Sequence, residues 1–224
     1  MRFAIRLSLP DRRGALSAVS SAIGKAGGNI LSLDVVGVVD GMAVDDITVE
    51  AEVEPDLLRR AIEDVPSVVV ETIVHSDTFR DLTAPLRLAT RLVDGGVGAV
   101  RLLVDGLPEA LWATWAIVVA GTHTGPEILH RSGNVPSVEG LEAPWMPLDD
   151  GRRLQRAPWM PEAWQDLTQL QVAAAPLVER NTAVLMGRNE GPRFLPAEVD
   201  QLGRLAHIAV RAEVLGAGAS RLQA

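Results

Sequence analysis

Apolar and polar positions alternate strictly at the start of the chain, with Phe3, Ile5, Leu7 and Leu9 set against Arg2, Ala4, Arg6 and Ser8. A period of two predicts a half-buried strand. Pro10-Asp11-Arg12-Arg13-Gly14 interrupts it. The spacing then becomes helical, with Leu16, Val19 and Ile23 on one face and Gly27-Gly28 closing the element. From Asn29 to Val39 a second strand runs into Asp40-Gly41, a dipeptide suited to a tight hairpin. The return strand sets Ile47, Val49, Ala51 and Val53 inward against Thr48, Glu50, Glu52 and Glu54 outward. Pro55 opens a second helix bearing Leu57, Leu58, Ala61 and Ile62, which Pro66 closes. A last strand, rich in β-branched residues, spans Val68 to His75. The predicted order is βαββαβ, a ferredoxin-like sheet with helices on one face and a largely polar other face.

Near residue 77 the pattern changes character. All five tryptophans, Trp112, Trp115, Trp145, Trp159 and Trp164, follow it, and Ser76-Asp77-Thr78 reads as a linker. The expected domains are therefore residues 1–76 and 79–224. In the second, a helical stretch from Pro85 to Leu111 breaks at Gly95-Gly96, and Trp112 to Ala120 reads as a buried strand. On that strand Trp112 and Trp115 would point to opposite faces. A short strand near Glu127 to Arg131 and a long irregular excursion over residues 132–164 come next. Two strands, Leu170 to Val178 and Thr182 to Arg188, precede a helix from Pro196 to about Leu215, which Gly216 and Gly218 are expected to end.

Composition narrows the possibilities. A length of 224 residues corresponds to about one and a half domains of ordinary size. With 47% hydrophobic residues the chain has material for a sizeable core, so global disorder is excluded. Cysteine is absent, which removes disulfides, thiolate nucleophiles, zinc fingers and thioether-linked chromophores. The net charge of -8 argues against a nucleic-acid partner or an anionic membrane surface. No apolar run is long enough for a membrane span, and Arg6 interrupts the early apolar stretch, so neither a transmembrane helix nor a signal peptide is expected. The expected setting is the cytoplasm.

The first 75 residues resemble an ACT domain, a small regulatory module that binds amino acids. The resemblance rests on Asp11-Arg12-Arg13-Gly14 at the first strand-to-helix turn, on Gly27-Gly28-Asn29-Ile30 opening the second strand, and on the element order. Arg13 stands where the family usually has proline. The resemblance implies a ligand at an interface between two such domains, near Asp11, Arg12, Gly14, Asn29 and Ile30, and hence a homodimer. Independently of the family, a helix N-terminus offers free N–H groups and a positive dipole end to a carboxylate. Gly14 would let a ligand approach the backbone, and Asp11 could pair with an α-ammonium group. Asp11 and Asn29 are expected at the same end of the sheet. Equally, Asp11 could serve only as a helix cap and Asn29 only as a turn residue.

From Phe79 onward the chain resembles a GAF domain, an antiparallel sheet flanked by helices with a pocket on one face. Thr182-Ala183-Val184-Leu185-Met186-Gly187-Arg188 followed by Gly191-Pro192-Arg193-Phe194-Leu195-Pro196-Ala197-Glu198 and a terminal helix carries that likeness. The fold class expected for the whole chain is α+β in both halves.

Other clusters are less telling. Eight acidic residues lie from Asp34 to Asp56. A divalent cation near Asp45, Asp46 and Glu50 is conceivable, but the alternation favours a solvated strand face. His123 and His130 could approach across a hairpin, whereas His207 reads as a packing or surface residue on the last helix. Arg152, Arg153 and Arg156 leading into Trp159 and Trp164 suggest a loop that pairs with acids or covers a pocket. No GxSxG, P-loop, HExxH or kinase motif is present, so no catalytic residue, metal or cofactor is assigned. The expected role is a non-catalytic sensor of a small molecule, a free amino acid first of all. Its alternatives are a ligand-free dimerisation or partner-binding scaffold, and an enzyme using a pocket under residues 132–164 with His123 or His130 as base.

Overall fold

The computed structural model describes residues 1–75, 81, 83–177 and 181–222, the last four of these by backbone alone. It divides into two compact units, Met1–Arg80 and Asp81–Ala224. The linker read at Ser76-Asp77-Thr78, the Phe79 start of the second domain and Val178 lie outside the described residues.

The first unit runs β1 (Arg2–Pro10), α1 (Ala15–Lys25), β2 (Asn29–Val39), β3 (Met42–Glu50), α2 (Pro55–Glu63) and β4 (Val69–His75). Its sheet has the order β2-β3-β1-β4, antiparallel throughout. Period two holds along β1: Phe3, Ile5, Leu7 and Leu9 join Val19, Ile23, Leu58 and Ile62 in one core beneath the helices. Helix α1 ends as its glycines foretell, with Gly28 N–H donating to Ile23 O and Gly27 N–H to Gly24 O, a paired closure of the last turn. Asp40 and Gly41 form the hairpin, both at positive φ, 53° and 76°. The other sheet face is polar as expected, yet its centre is buried: Arg6 donates through Nε and Nη2 to both oxygens of Asp46, at 2.6 and 2.7 Å. Ser8 Oγ donates to Glu71 there at 2.6 Å.

The second unit runs α3 (Ala84–Gly95), a single 3-10 turn, α4 (Ala99–Ala110), β5 (Trp115–Thr122), β6 (Gly125–Gly133), β7 (Arg152–Leu154), α5 (Glu162–Gln165), β8 (Gln171–Pro176), β9 (Thr182–Arg188) and α6 (Pro196–Leu222). Its antiparallel sheet has the order β6-β5-β9-β8-β7. One face, through Ala116, Val118, Val184 and Met186, packs against Leu88, Leu103, Leu107, Leu202 and Ala206 of α3, α4 and α6. The opposite face, through Trp115, Ile117, Val119 and Leu185, is packed by Leu141, Trp145, Met160 and Trp164 of the irregular excursion. Both units are thus α+β, each an antiparallel sheet flanked by helices.

Three expectations for this unit are corrected. The stretch 132–164, read as irregular, contains the short strand β7, which pairs with β8, and the single-turn helix α5. Helix α6 does not end at Gly216 or Gly218 but continues to Leu222. A Cβ at Gly216 would lie 2.7 Å from Val97 N and 2.8 Å from Gly96 Cα, so the glycine serves a close backbone crossing rather than a helix stop. Trp112 does not share a strand with Trp115. It precedes β5 in a left-handed turn at φ 52°, and its carbonyl accepts from Arg188 Nε at 2.9 Å.

Candidate functional site

The turn between β1 and α1 leaves a helix N-terminus open. Gly14 occupies the N-cap at φ 85°, a left-handed conformation that side-chain-bearing residues rarely adopt, and no side chain caps the helix. Asp11 is exposed and is not the cap; its backbone N–H donates to Gly41 O at 3.1 Å, tying the turn to the β2–β3 hairpin. Ala15 N–H donates to Arg12 O at 3.3 Å, and the next N–H groups of the first turn keep the donor capacity and positive dipole end that suit a carboxylate. A cavity of about 210 Å³ opens at this spot, lined by Arg12, Arg13, Gly14 and Ala15 with Val65, Pro66 and Val68. Its charged lining is entirely cationic.

Asn29 and Ile30 are elsewhere. Pro10 pairs with Met42 at one end of the β1–β3 ladder, whereas Asn29 pairs with Glu50 and Arg2 with Glu50 at the other. Asp11 and Asn29 thus lie at opposite ends of the sheet, contrary to the expectation from the sequence. The reason is topological: α1 runs back along the sheet and delivers the chain to the far end before β2 begins. Asn29 is exposed there, and Ile30 packs half-buried against the core. Within one chain the turn holds Asp11, Arg12 and Gly14 together, and Asn29 with Ile30 forms a separate group.

Asp45, which the sequence offered only as one of three acids for a cation, is set apart by its burial. It stands opposite Leu7 on β1 and Val35 on β2, on the helix-covered side of the sheet, and is only 2% exposed. Its Oδ1 has no hydrogen-bond partner. Burial raises its pKa above the ordinary value, and the nearby Asp11 charge raises it further. The inward series Ile47 and Val49, counted back by two, reaches Asp45, so parity alone marks it as a carboxylate on the core side. Asp46 takes the opposite face with Arg6, which separates the acids that a cation site near Asp45, Asp46 and Glu50 would need to combine. Among the described residues no group of three or more acids or histidines is placed to hold a metal ion.

The raised value has a sign. A carboxyl whose folded pKa exceeds the unfolded 3.8 favours the folded state in acid, and that contribution is lost as pH rises through the raised value. Asp45→Asn is therefore expected to stabilise the protein at neutral pH, with the gain shrinking as pH falls toward the ordinary carboxylate range. Thermal melts of the two proteins at neutral and acid pH measure it; a loss of stability at neutral pH would show that Asp45 has a partner.

In the second unit the histidines remain apart. His123 lies in the β5–β6 turn, and His130 stands down the ladder opposite Val118 with Nε2 3.0 Å from Asp105 Oδ1. Arg152 and Arg156 hold loop carbonyls, those of Trp145 and of Trp164, Gln165 and Leu167, rather than acids. The excursion packs Leu141, Trp145, Met160 and Trp164 onto the sheet face itself, while its residues Asp149 to Arg153 border a cavity against α6. Trp115 and Trp164 meet at a ring separation of 4.9 Å, and both are fully buried.

Comparison with known proteins bears on the first unit directly. Residues 3–67 match the family model of the ACT domain. No curated protein matches the chain. Solved structures that resemble it include the GAF domain of a phosphoenolpyruvate-protein phosphotransferase from Coxiella burnetii, at 16% identity over 63% of this chain and 99% of that one, with a TM-score of 0.40. Free methionine-R-sulfoxide reductase from Neisseria meningitidis in complex with its substrate resembles it at 13% identity, over 65% and 98%, with a TM-score of 0.43. The chromophore-binding domain of a bacteriophytochrome from R. palustris does so at 10%, over 86% and 70%, with a TM-score of 0.49. At such scores none of these likenesses bears on what the chain binds. The βαββαβ order, the 2-3-1-4 sheet and the family match over residues 3–67 agree: the first unit of this chain is an ACT domain, a regulatory ligand-binding module.

Proposed function

We propose that the protein is a non-catalytic, cytoplasmic regulator that binds a free amino acid at its ACT domain and works as a homodimer. The observation that carries this reading is the uncapped N-terminus of α1 beside a cationic cavity, with Asn29 and Ile30 held at the far end of β2. Strand β2 is a sheet edge, with Val35 63% and Val38 55% exposed. Two β2 edges paired antiparallel about a twofold axis would cover that edge. They would also set Asn29 of one protomer beside the end of β2 in its partner, where Gly41 holds the Asp11 turn. The site is then built from Asp11, Arg12 and Gly14 of one protomer with Asn29 and Ile30 of the other.

A thermal-shift screen with the free amino acids, at millimolar concentration, tests the ligand. One or more should raise the melting temperature, and Asn29→Ala should weaken that response; a flat screen removes the amino-acid reading. Val35→Lys on the β2 edge tests the shared site. Sedimentation is expected to show monomers, with amino-acid binding lost alongside the dimer. Retained binding in a monomeric variant would place the whole site in one protomer.

For the second unit the scaffold reading gains support from the sheet face packed by Trp115, Trp145, Trp164 and Met160.

A further inference from the structure

Helix α3 is apolar on two opposite sides. Leu88 and Leu92 turn inward and join the core built with α4 and α6. Leu86 and Val93, half a turn round from them, are 70% and 65% exposed. Seven residues make about two turns, so these two lie in line along one outer stripe, with exposed Thr90 between them. Val97, exposed in the 3-10 turn that follows, extends the apolar run. Apolar residues scattered singly over a surface are ordinary. A surface helix, however, turns one apolar side to the core and a polar side to water, and α3 departs from that pattern.

The charges beside the stripe run against the helix dipole. Arg87 is the fourth residue of α3, near its positive end, and Asp94 is the last but one, at the negative end. Seven residues apart, they share one flank of the stripe. Arg87 reaches Asp81 and Glu109 through its two Nη atoms. Asp94 takes part in no ion pair among the described residues. A carboxylate at the C-terminal end of a helix, with no cation beside it, is unfavourably placed within one chain.

We infer that this side of α3 is a contact between two copies of the chain, in which the two α3 helices lie antiparallel about a twofold axis at Thr90. Leu86 of each copy then meets Val93 of the other, and the smaller Thr90 faces its own counterpart. Like flanks meet in an antiparallel helix pair, so each Asp94 lies against Arg87 and the positive N-terminal end of the other α3. One arrangement thus relieves both copies at once, as an isologous contact requires. A parallel pair would set the Arg87–Asp94 flank against the uncharged flank of Pro85 and Ala89 and leave Asp94 as it is. The inference stands apart from the amino-acid reading. A single stripe is smaller than a standard interface, so the contact is weak by itself and Val35→Lys still sediments as a monomer.

The absence of cysteine makes the test direct. Thr90→Cys in the full chain, oxidised at high protein concentration, should join most of the protein into a covalent dimer on a non-reducing gel. His123→Cys, in the exposed β5–β6 turn, should leave single chains. Adding Leu86→Gln with Val93→Gln to Thr90→Cys should remove the link without changing the far-ultraviolet circular dichroism, because both side chains stand in water within one chain. Adding Asp94→Lys instead should cut the link severalfold, since it sets a cation against Arg87 of the other copy; indifference to that change would overturn the antiparallel pairing. Thr90→Cys linking no more than His123→Cys would overturn the contact altogether, as would a link that survives Leu86→Gln with Val93→Gln.

Discussion

Arg188→Ala is expected to destabilise the second unit by about 3–5 kcal/mol, the range for removing one partner of a buried ion pair. Arg188 and Glu198 are 4% and 3% exposed at the side chain and 2.8 Å apart. The guanidinium also donates to the carbonyls of Leu111, Trp112 and Pro192 and lies 4.1 Å over the Phe194 ring. Glu198 in turn accepts from Leu195 N–H at 2.8 Å. One arginine at the end of β9 therefore joins the end of α4 to the start of α6. Its loss leaves Glu198 charged in the interior without its counter-ion and takes a donor from each of three carbonyls, so the cost falls on several groups at once. For a unit of this size the melting temperature should fall by roughly 10 °C or more. The paired replacement Arg188→Met with Glu198→Leu should recover part of the loss by removing both charges, while the arginine's hydrogen bonds to the carbonyls stay lost. Thermal and urea melts measure both, and a single-mutant loss under about 1 kcal/mol would contradict the clamp.

Trp164→Ala is expected to cost a similar amount, about 3–5 kcal/mol, by a different route. Trp164 is fully buried against Trp115, whose own ring is pinned by a 2.8 Å bond from Nε1 to Asn189 Oδ1. A pinned neighbour relaxes little into the vacated space, so an apolar cavity should persist. Added indole should then raise the melting temperature of the variant and leave the wild type unchanged. Trp164→Phe should cost much less, because Trp164 Nε1 has no acceptor to lose. Loss without indole rescue would mean that the excursion collapses instead of holding its shape, and a negligible loss would mean that it does not pack the sheet face at all.

These two sites show unequal legibility. Gly187-Arg188 and Pro196-Ala197-Glu198 are visible as sequence, but their pairing across ten residues is not, since it depends on where α6 starts relative to β9. The tryptophans were visible too, yet whether an irregular segment covers a pocket or fills it depends on side chains meeting across the sheet. Asp11, Arg12 and Gly14 were legible as one group because they are neighbours in the chain. Asn29 was misplaced relative to them because its position depends on which way α1 returns. Asp45 carried a readable mark, the inward parity of β3, which the abundance of acids around it obscured.

The sequence by itself determined the element order of the first unit, the two-residue turn at Asp40-Gly41, the closure of α1 at Gly27-Gly28 and the inward faces of β1 and β3, but not β7 and α5, which lie in the stretch it read as irregular. The features it determined follow from local backbone geometry, which repeats every 2 or 3.6 residues and leaves its period in the chain. Tertiary structure alone decided that Asp11 and Asn29 stand at opposite ends of a sheet, that Gly216 admits a helix crossing, and that Asp45 is buried without a partner. Those outcomes depend on strand register and on which surfaces meet, relations between distant residues that no local period encodes.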